Sequence, residues 1–265
     1  MACFLLFACI FSNPLLRPMR NTLFTSFLLL SALTATGFTY TGIWTNKANN
    51  NKVIGASAQE LLSATKPSLQ IEIQYMGTAR LAPATIPQLV TFLQKHLHKP
   101  GGILITEKSI AGSATRTLTT QQVALVEKKH RTAYNTSRQV ALYILVTDAA
   151  SAEPDVLGCA YRNTSIVLYG STLQRFTKGY SITVKSKLET STLLHETCHL
   201  LGLVNLPFVT TAQSNGQQPD GHCNNNKCLM YYKSSGNELA GYVQGSAVPV
   251  LDDHCRKALA ANGGQ

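Results

Sequence analysis

His195-Glu196-Thr197-Cys198-His199 is the segment from which the architecture and the chemistry of this 265-residue chain can be inferred. On a helix, residues four positions apart lie on the same face, so the two histidines present their imidazoles about one turn apart. Glu196 lies beside them. Two imidazoles can bind a zinc ion, which activates a water molecule, and an adjacent carboxylate can take the proton of that water. The segment therefore predicts a zinc-dependent hydrolytic site on a helix.

The ends of this helix can be predicted from residues outside the histidine pattern. Ser186-Lys187-Leu188-Glu189 has the spacing of a capping box, in which the serine hydroxyl accepts from the Glu189 amide and the carboxylate reaches back to Ser186. Gly202 can adopt the left-handed conformation that ends many helices. We therefore expect the helix to begin at Ser186 and to run to about Leu201.

Strands and helices alternate before this helix. Apolar–polar alternation and continuous apolar runs predict strands at 69–75, 103–106, 140–147 and 165–169. One-sided apolar spacing predicts helices at 87–99 and 119–132, with a short final helix at 253–261. This order predicts an α+β fold, in which a mixed twisted sheet with two packed helices precedes the active-site helix and a largely irregular C-terminal part.

A catalytic zinc has three protein ligands in most enzymes, so the two helix histidines require one more. Two residues are candidates. Asn205 follows Gly202 closely, where the chain can turn back toward the metal, but an amide oxygen is a poorer zinc ligand than an imidazole. His222 lies further along the chain and offers an imidazole. We prefer His222 on ligand chemistry and keep Asn205 as the alternative.

Two segments of the chain resemble the metzincin metalloproteases, and the archaemetzincins in particular. Residues 195–202 match the His-Glu-x-x-His-x-x-Gly core of the metzincin signature. Residues 222–230 match the His-Cys-x4-Cys-x-Met pattern of archaemetzincins. In that family the two segments are adjacent, whereas residues 203–221 separate them here.

The resemblance implies a metzincin-like zincin domain that hydrolyses peptide bonds. His222 is then the third zinc ligand, Met230 is the methionine of a tight turn beneath the metal, and Tyr232 stabilises the transition state. In metzincins the strand before the active-site helix forms the rim of the cleft and pairs with an extended peptide. The predicted strand at 165–169 occupies that place in this sequence.

Four residues near the C-terminus resemble a second site. Archaemetzincins hold a structural zinc on four cysteines, two of them in a late Cys-x-x-Cys motif. The matching residues here are Cys223, Cys228, Asp252 and Cys255, with an aspartate in place of one cysteine. An exported protein can form disulfides instead. We therefore expect a disulfide from Cys223 to Cys228 or Cys255, and regard a second zinc as the alternative.

The N-terminal part predicts export. Two arginines precede an apolar run at 23–33, and small residues follow it, as in a secretory signal. The apolar run through Trp44 is also long enough to be an uncleaved membrane anchor, which would associate the protein with a membrane. The predicted divisions are a signal peptide or anchor at 1–45, a linker at 46–66 and a catalytic domain at 67–265.

The charge of the chain does not indicate a nucleic-acid partner. The formal net charge is +10, but the basic residues form no cluster interleaved with aromatic residues. The densest run, 127–131, ends a predicted helix, and we interpret it as a solvated helix end.

The sequence thus predicts an exported zinc endopeptidase that is secreted, periplasmic or membrane-anchored. It acts on peptides or proteins, and Glu196 is its general base. The alternative is a catalytically degenerate, exported zinc-binding protein, which is motivated by Asn205 and by the long insertion.

Overall fold

A computed structural model describes residues 50–204, 222–231 and 247–265. All of these residues belong to one compact unit, Gly42–Gln265. The predicted signal or anchor, Asn205 and Tyr232 lie outside the described residues. No helix in the described part of the chain is long and apolar enough to cross a membrane.

The elements are numbered in chain order over the described residues. The strands are β1 (Ser68–Met76), β2 (Ile103–Ile110), β3 (Thr117–Leu118), β4 (Gln139–Thr147), β5 (Ala150–Ser151), β6 (Gly158–Arg162) and β7 (Ser165–Tyr169). The helices are α1 (Ala58–Leu62), α2 (Thr85–His96), α3 (Thr120–His130), α4 (Gly170–Phe176), α5 (Ile182–Leu200) and α6 (Asp253–Ala261). Every predicted strand and helix is present, whereas α1, β3, β5, β6 and α4 were not predicted.

Five strands form one mixed sheet in the order β2-β1-β4-β7-β6. The first four run parallel to one another, and β6 runs antiparallel to β7. β6 is therefore an edge strand, and α5 contacts both β6 and β7. The predicted α+β class and the mixed sheet are confirmed.

Side chains of the central strands alternate between two apolar layers, as the two-residue period of a strand requires. On one face of the sheet, Ile71 and Ile144 belong to a large cluster that includes buried side chains of α1, α2, α5 and α6. On the other face, Tyr143 and Leu145 pack with Val123 of α3. The helix that carries the histidine pattern is therefore fixed against the larger of the two layers.

The second half of the predicted linker is part of the folded domain. Residues 58–62 form α1, and Leu61 and Leu62 are fully buried in the larger apolar cluster. The Lys99 ammonium donates to three main-chain carbonyls of this segment, which holds the chain after α1 in place. The packed part of the chain therefore begins before residue 67.

Helix α5 begins earlier than predicted, because its N-cap is Ser181, whose hydroxyl accepts from the Val184 amide. The predicted capping box is therefore wrong. The Glu189 carboxylate is buried and accepts from the Ala82 amide at 2.7 Å and from the Thr85 hydroxyl at 2.5 Å. Burial raises the pKa of Glu189. This residue ties α5 to the start of α2 instead of capping α5.

The basic run at the end of α3 is only partly solvated. Lys128 and Lys129 are exposed, but Arg131 is buried and pairs with buried Glu127 at 2.7 Å. Arg162 of β6 contacts the same carboxylate at 3.0 Å. The interpretation as a solvated helix end is therefore wrong for Arg131, which joins α3 to the sheet.

Candidate metal centre

Three histidines from two parts of the chain converge at the C-terminal half of α5. His195 and His199 come from the helix, and His222 opens the next described segment. The ring centroids are 4.8 Å apart for His195–His199, 5.2 Å for His195–His222 and 5.1 Å for His199–His222. One ring nitrogen from each lies within 4.8 Å of the others. The structure therefore brings together the three histidines that the sequence predicted as ligands.

Main-chain carbonyls orient the two helix histidines. His195 Nδ1 lies 2.9 Å from the carbonyl oxygen of Leu229, and His199 Nδ1 lies 2.8 Å from that of Leu203. A carbonyl only accepts, so each Nδ1 carries the proton and donates it. The lone pair of each neutral ring is then on Nε2. This arrangement fixes the tautomer in which Nε2 can bind a metal ion.

The conformation of Gly202 positions the Leu203 carbonyl, which accepts a hydrogen bond from His199. The φ of 95° at Gly202 lies in the left-handed region, and the Leu203 amide donates to the carbonyl of Cys198 at 3.0 Å, as in a Schellman cap. The predicted helix end at Gly202 is confirmed. Because the chain reverses there, the Leu203 carbonyl comes back under the last turn of α5.

The histidine cluster fits a zinc ion in protonation state and in size. Burial lowers the pKa of His195 and of His199 to about 4, so both rings are neutral near pH 7. His195 Nε2 and His222 Nε2 are 3.2 Å apart. Two nitrogens at zinc–nitrogen distances of about 2.0–2.1 Å in a tetrahedral site are separated by about 3.3–3.4 Å. The spacing matches that of two ligands of one ion.

The Glu196 carboxylate lies at the edge of the sheet. Its Oε2 accepts from the main-chain amide of Ala160 in β6 at 2.7 Å. The sequence placed the rim of the cleft at 165–169, which is β7, but β7 lies inside the sheet between β4 and β6. This prediction is therefore wrong, and β6 is the edge strand beside the candidate site.

The second predicted cluster also forms, but without the disulfide that we expected. Cys223, Cys228 and Cys255 are not joined by disulfide bonds, and the Sγ atoms of Cys228 and Cys255 are 3.7 Å apart. A disulfide requires about 2.05 Å. One ligand atom from each cysteine and from Asp252 lies within 4.8 Å of the others. Two sulfurs of a tetrahedral zinc site are about 3.8 Å apart, given zinc–sulfur distances of about 2.3 Å.

Hydrogen bonds favour a thiolate in this second cluster. Cys228 Sγ accepts from the amides of Met230 at 3.5 Å and Asp252 at 3.4 Å. The side-chain hydrogen bonds that Cys228 shares with Cys223 and Cys255 lower the pKa of Cys228, whereas the pKa values of Cys223 and Cys255 are raised, so Cys228 is the first of the three to lose its proton. Donors aimed at sulfur are typical of cysteines that bind metal ions.

Residues 228–230 connect the two clusters. Met230 is fully buried, and its amide donates to Cys228 Sγ, while the preceding carbonyl of Leu229 accepts from His195. The position of Met230 is compatible with the predicted turn, and its role stays a prediction. Sequence reasoning missed Leu203, Leu229 and Ala160, because these residues act through their main chain and their side chains carry no signal.

The mixed sheet with one antiparallel edge strand, and the helix that carries two clustered histidines, form a fold that is also found in a solved archaemetzincin structure. Archaemetzincin from Methanopyrus kandleri is similar in structure, with a TM-score of 0.51 and 14% identity over 74% of this chain and 96% of that chain. Metalloproteinase-II from Bacteroides fragilis aligns with a TM-score of 0.42 and 12% identity over 80% of this chain and 56% of that chain. No protein-family model matches the sequence. No curated protein matches it either.

Proposed function

We propose that this protein is an exported zinc-dependent endopeptidase. His195, His199 and His222 hold the zinc ion, and Glu196 is the general base. The observation that carries the proposal is the convergence of three imidazoles, two of them neutral and oriented by carbonyls, beside a carboxylate held at a sheet edge. The N-terminal apolar run supports export.

Each of these residues has a role in hydrolysis. When bound, zinc supplies the Lewis acidity that activates water and polarises a peptide carbonyl. The carbonyl partners of His195 and His199 keep Nε2 of each ring available to the ion. The Ala160 amide holds Oε2 of Glu196, which limits the motion of the carboxylate. Glu196 accepts the proton of the attacking water and delivers it to the leaving amine.

The edge strand supports a peptide as the substrate. An edge strand has main-chain groups that a neighbouring extended chain can pair with, and such pairing requires no particular side-chain sequence. The hydrogen bond from the Ala160 amide to Glu196 supports an arrangement in which the outer edge of β6 borders the candidate site. A peptide that pairs with β6 would therefore lie next to the three histidines.

Metal removal tests this function. We expect the purified full chain to contain zinc and to cleave casein or a mixed library of quenched fluorescent peptides. Ortho-phenanthroline should abolish cleavage and added zinc should restore it, whereas the non-chelating meta-isomer should have no effect. A protein that holds zinc in the histidine cluster but cleaves no substrate would instead be the degenerate zinc-binding protein, and a cluster that binds no zinc would exclude both.

We also propose that Cys223, Cys228, Asp252 and Cys255 hold a second, structural zinc ion. The close approach of the four ligand atoms, the sulfur spacing of 3.7 Å and the amides directed at Cys228 support it. Asp252 accepts from the Cys255 amide through Oδ1 and from the Cys223 thiol through Oδ2. The same carboxylate therefore caps α6 and completes the set of four ligands.

Replacing Cys255 with Ser should lower the zinc content from two ions per chain to one, because a hydroxyl is a poor zinc ligand. It should also lower the melting temperature, since the cluster joins α6 to residues 223–230. Cys159 is outside both clusters, so Cys159→Ser is the matched control and should keep both ions. Metal analysis and thermal unfolding measure these effects. A wild-type protein with one zinc, or a Cys255→Ser variant with unchanged zinc content, would contradict a second site.

A further inference from the structure

A large apolar pocket lies between α2, the first half of α5 and the segment 247–251 that leads into α6. Its volume is about 870 Å³, and ligand sites commonly measure roughly 300–1,000 Å³. Apolar side chains form much of its lining, among them Phe92, Ile182, Leu194 and Val250. No residue of the candidate metal centre lines it, so the pocket is a separate feature of the fold.

Two of the apolar side chains at this pocket are strongly exposed. Ile182 is 69% exposed and Val250 is 66% exposed. They come from different parts of the chain and contribute to the same pocket. Apolar surface that is grouped around a cavity marks a binding site more often than single exposed residues do. The pair therefore indicates a ligand with an apolar body.

The charged residues of the lining are all basic. Lys95 of α2, Lys187 of α5 and Arg256 of α6 contribute to it, and none of the described lining residues is acidic. Arg256 also pairs with Asp253 and donates to the carbonyl of Leu251, which fixes the guanidinium near the pocket. Cations from three helices around one apolar cavity favour an anionic group on the ligand.

We propose that this pocket binds a long-chain carboxylate. The apolar chain lies against the side chains of Phe92, Leu194 and Val250, and the carboxylate faces Lys95, Lys187 and Arg256. The apolar lining and the basic lining residues both match such a molecule, and the cavity volume accommodates its chain.

The pocket wall is joined to the candidate metal centre through the main chain. The Val250 carbonyl accepts from the Leu229 amide at 2.9 Å, and the Leu229 carbonyl accepts from His195. A carboxylate can also coordinate zinc directly. Binding at the pocket and binding at the metal must therefore be measured separately.

Fluorescence titration of the full chain with dansyl-labelled undecanoic acid tests the proposal. We expect saturable binding with a blue-shifted emission, displacement by dodecanoate, and no displacement by dodecyltrimethylammonium, which has the same chain with the opposite charge. His199→Ala, which removes a ligand of the histidine cluster and leaves the cysteine cluster intact, should leave binding unchanged. Ile182→Asp should weaken binding by about tenfold and Lys95→Glu, at an exposed position, by about threefold.

Two variants on α3 provide matched controls. Leu125 is 65% exposed, close to the exposure of Ile182, and Lys129 lies in the last turn of its helix as Lys95 does. Leu125→Asp and Lys129→Glu should therefore leave binding unchanged. Equal displacement by the cationic amphiphile, loss of binding in His199→Ala, or equal weakening by the control variants would overturn the proposal. The proposal would also be overturned if the protein did not bind the free acid and Ile182 instead mediated binding to phosphatidylglycerol vesicles or dimerisation. Co-sedimentation with vesicles and the oligomeric state of Ile182→Asp measure these two outcomes.

Discussion

Glu196→Gln should leave zinc binding intact while peptide cleavage falls by about 10²–10⁴-fold, the usual contribution of a general base. Glutamine has the same shape as glutamate, and its Oε1 can accept from the Ala160 amide in place of the carboxylate oxygen. The amide cannot, however, take a proton from water. The substitution therefore removes the proton transfer and keeps the contact with β6. Metal analysis and the rate of peptide cleavage measure the two effects.

The matched control is Glu153→Gln, because Glu153 is an exposed carboxylate outside the cluster. It should keep full activity and full zinc content. Thermal unfolding of the Glu196→Gln protein should follow that of the wild type, which excludes misfolding as the cause of lost cleavage. If Glu196→Gln cleaves peptides at the wild-type rate, Glu196 is not the general base.

The main elements of the fold could be predicted from local patterns, because strand alternation and helix periodicity are properties of short segments. The start of α5 could not, because Ser181 and Ser186 are both able to cap a helix. Only packing distinguishes them, since it buries Glu189 against Ala82 and Thr85. A capping box can be recognised from four consecutive residues. The Glu189 carboxylate contacts α2 instead of Ser186, and this tertiary contact cannot be recognised from the local sequence.

The order of strands within the sheet is a second property that the sequence does not contain. The strand β7 precedes α5 in the chain and was therefore assigned to the rim of the cleft. Strand β6 escaped prediction because Gly158–Arg162 contains no β-branched residue, unlike the equally short β7, and because it pairs with β7 through an irregularity between Ala160 and Arg162. The strand at the edge of a sheet depends on long-range pairing.

The side chains of the candidate site could be predicted, but their surroundings could not. The two helix histidines follow from their spacing, and His222 followed from ligand chemistry and from the resemblance. Whether cysteines form a disulfide or a metal site depends on the distance between their sulfurs, and this distance is set by the packing of α6 against residues 223–230. The sequence allows both outcomes for Cys223, with Cys228 or Cys255 as its disulfide partner, and in the structure the three cysteines form no disulfide.

His222→Ala and Asn205→Ala together identify the third zinc ligand. Loss of an outer-shell partner lowers metal affinity by about 10–100-fold, and loss of a direct ligand should exceed this. We therefore expect His222→Ala to lose the zinc of the histidine cluster and all peptide cleavage. Asn205→Ala should keep both. Competition with a zinc-selective chelator measures the affinity of each variant.

The second zinc complicates this comparison, because His222 is adjacent to Cys223 in the chain. Zinc content must therefore be assigned to each cluster, by repeating the titration in the Cys255→Ser background, where the histidine cluster is the remaining site. In that background His222→Ala should be free of zinc, while Asn205→Ala should bind one ion. The opposite result would make Asn205 the third ligand. His195 and His222 have ring nitrogens 3.2 Å apart, and this spacing is why we expect the loss to follow His222.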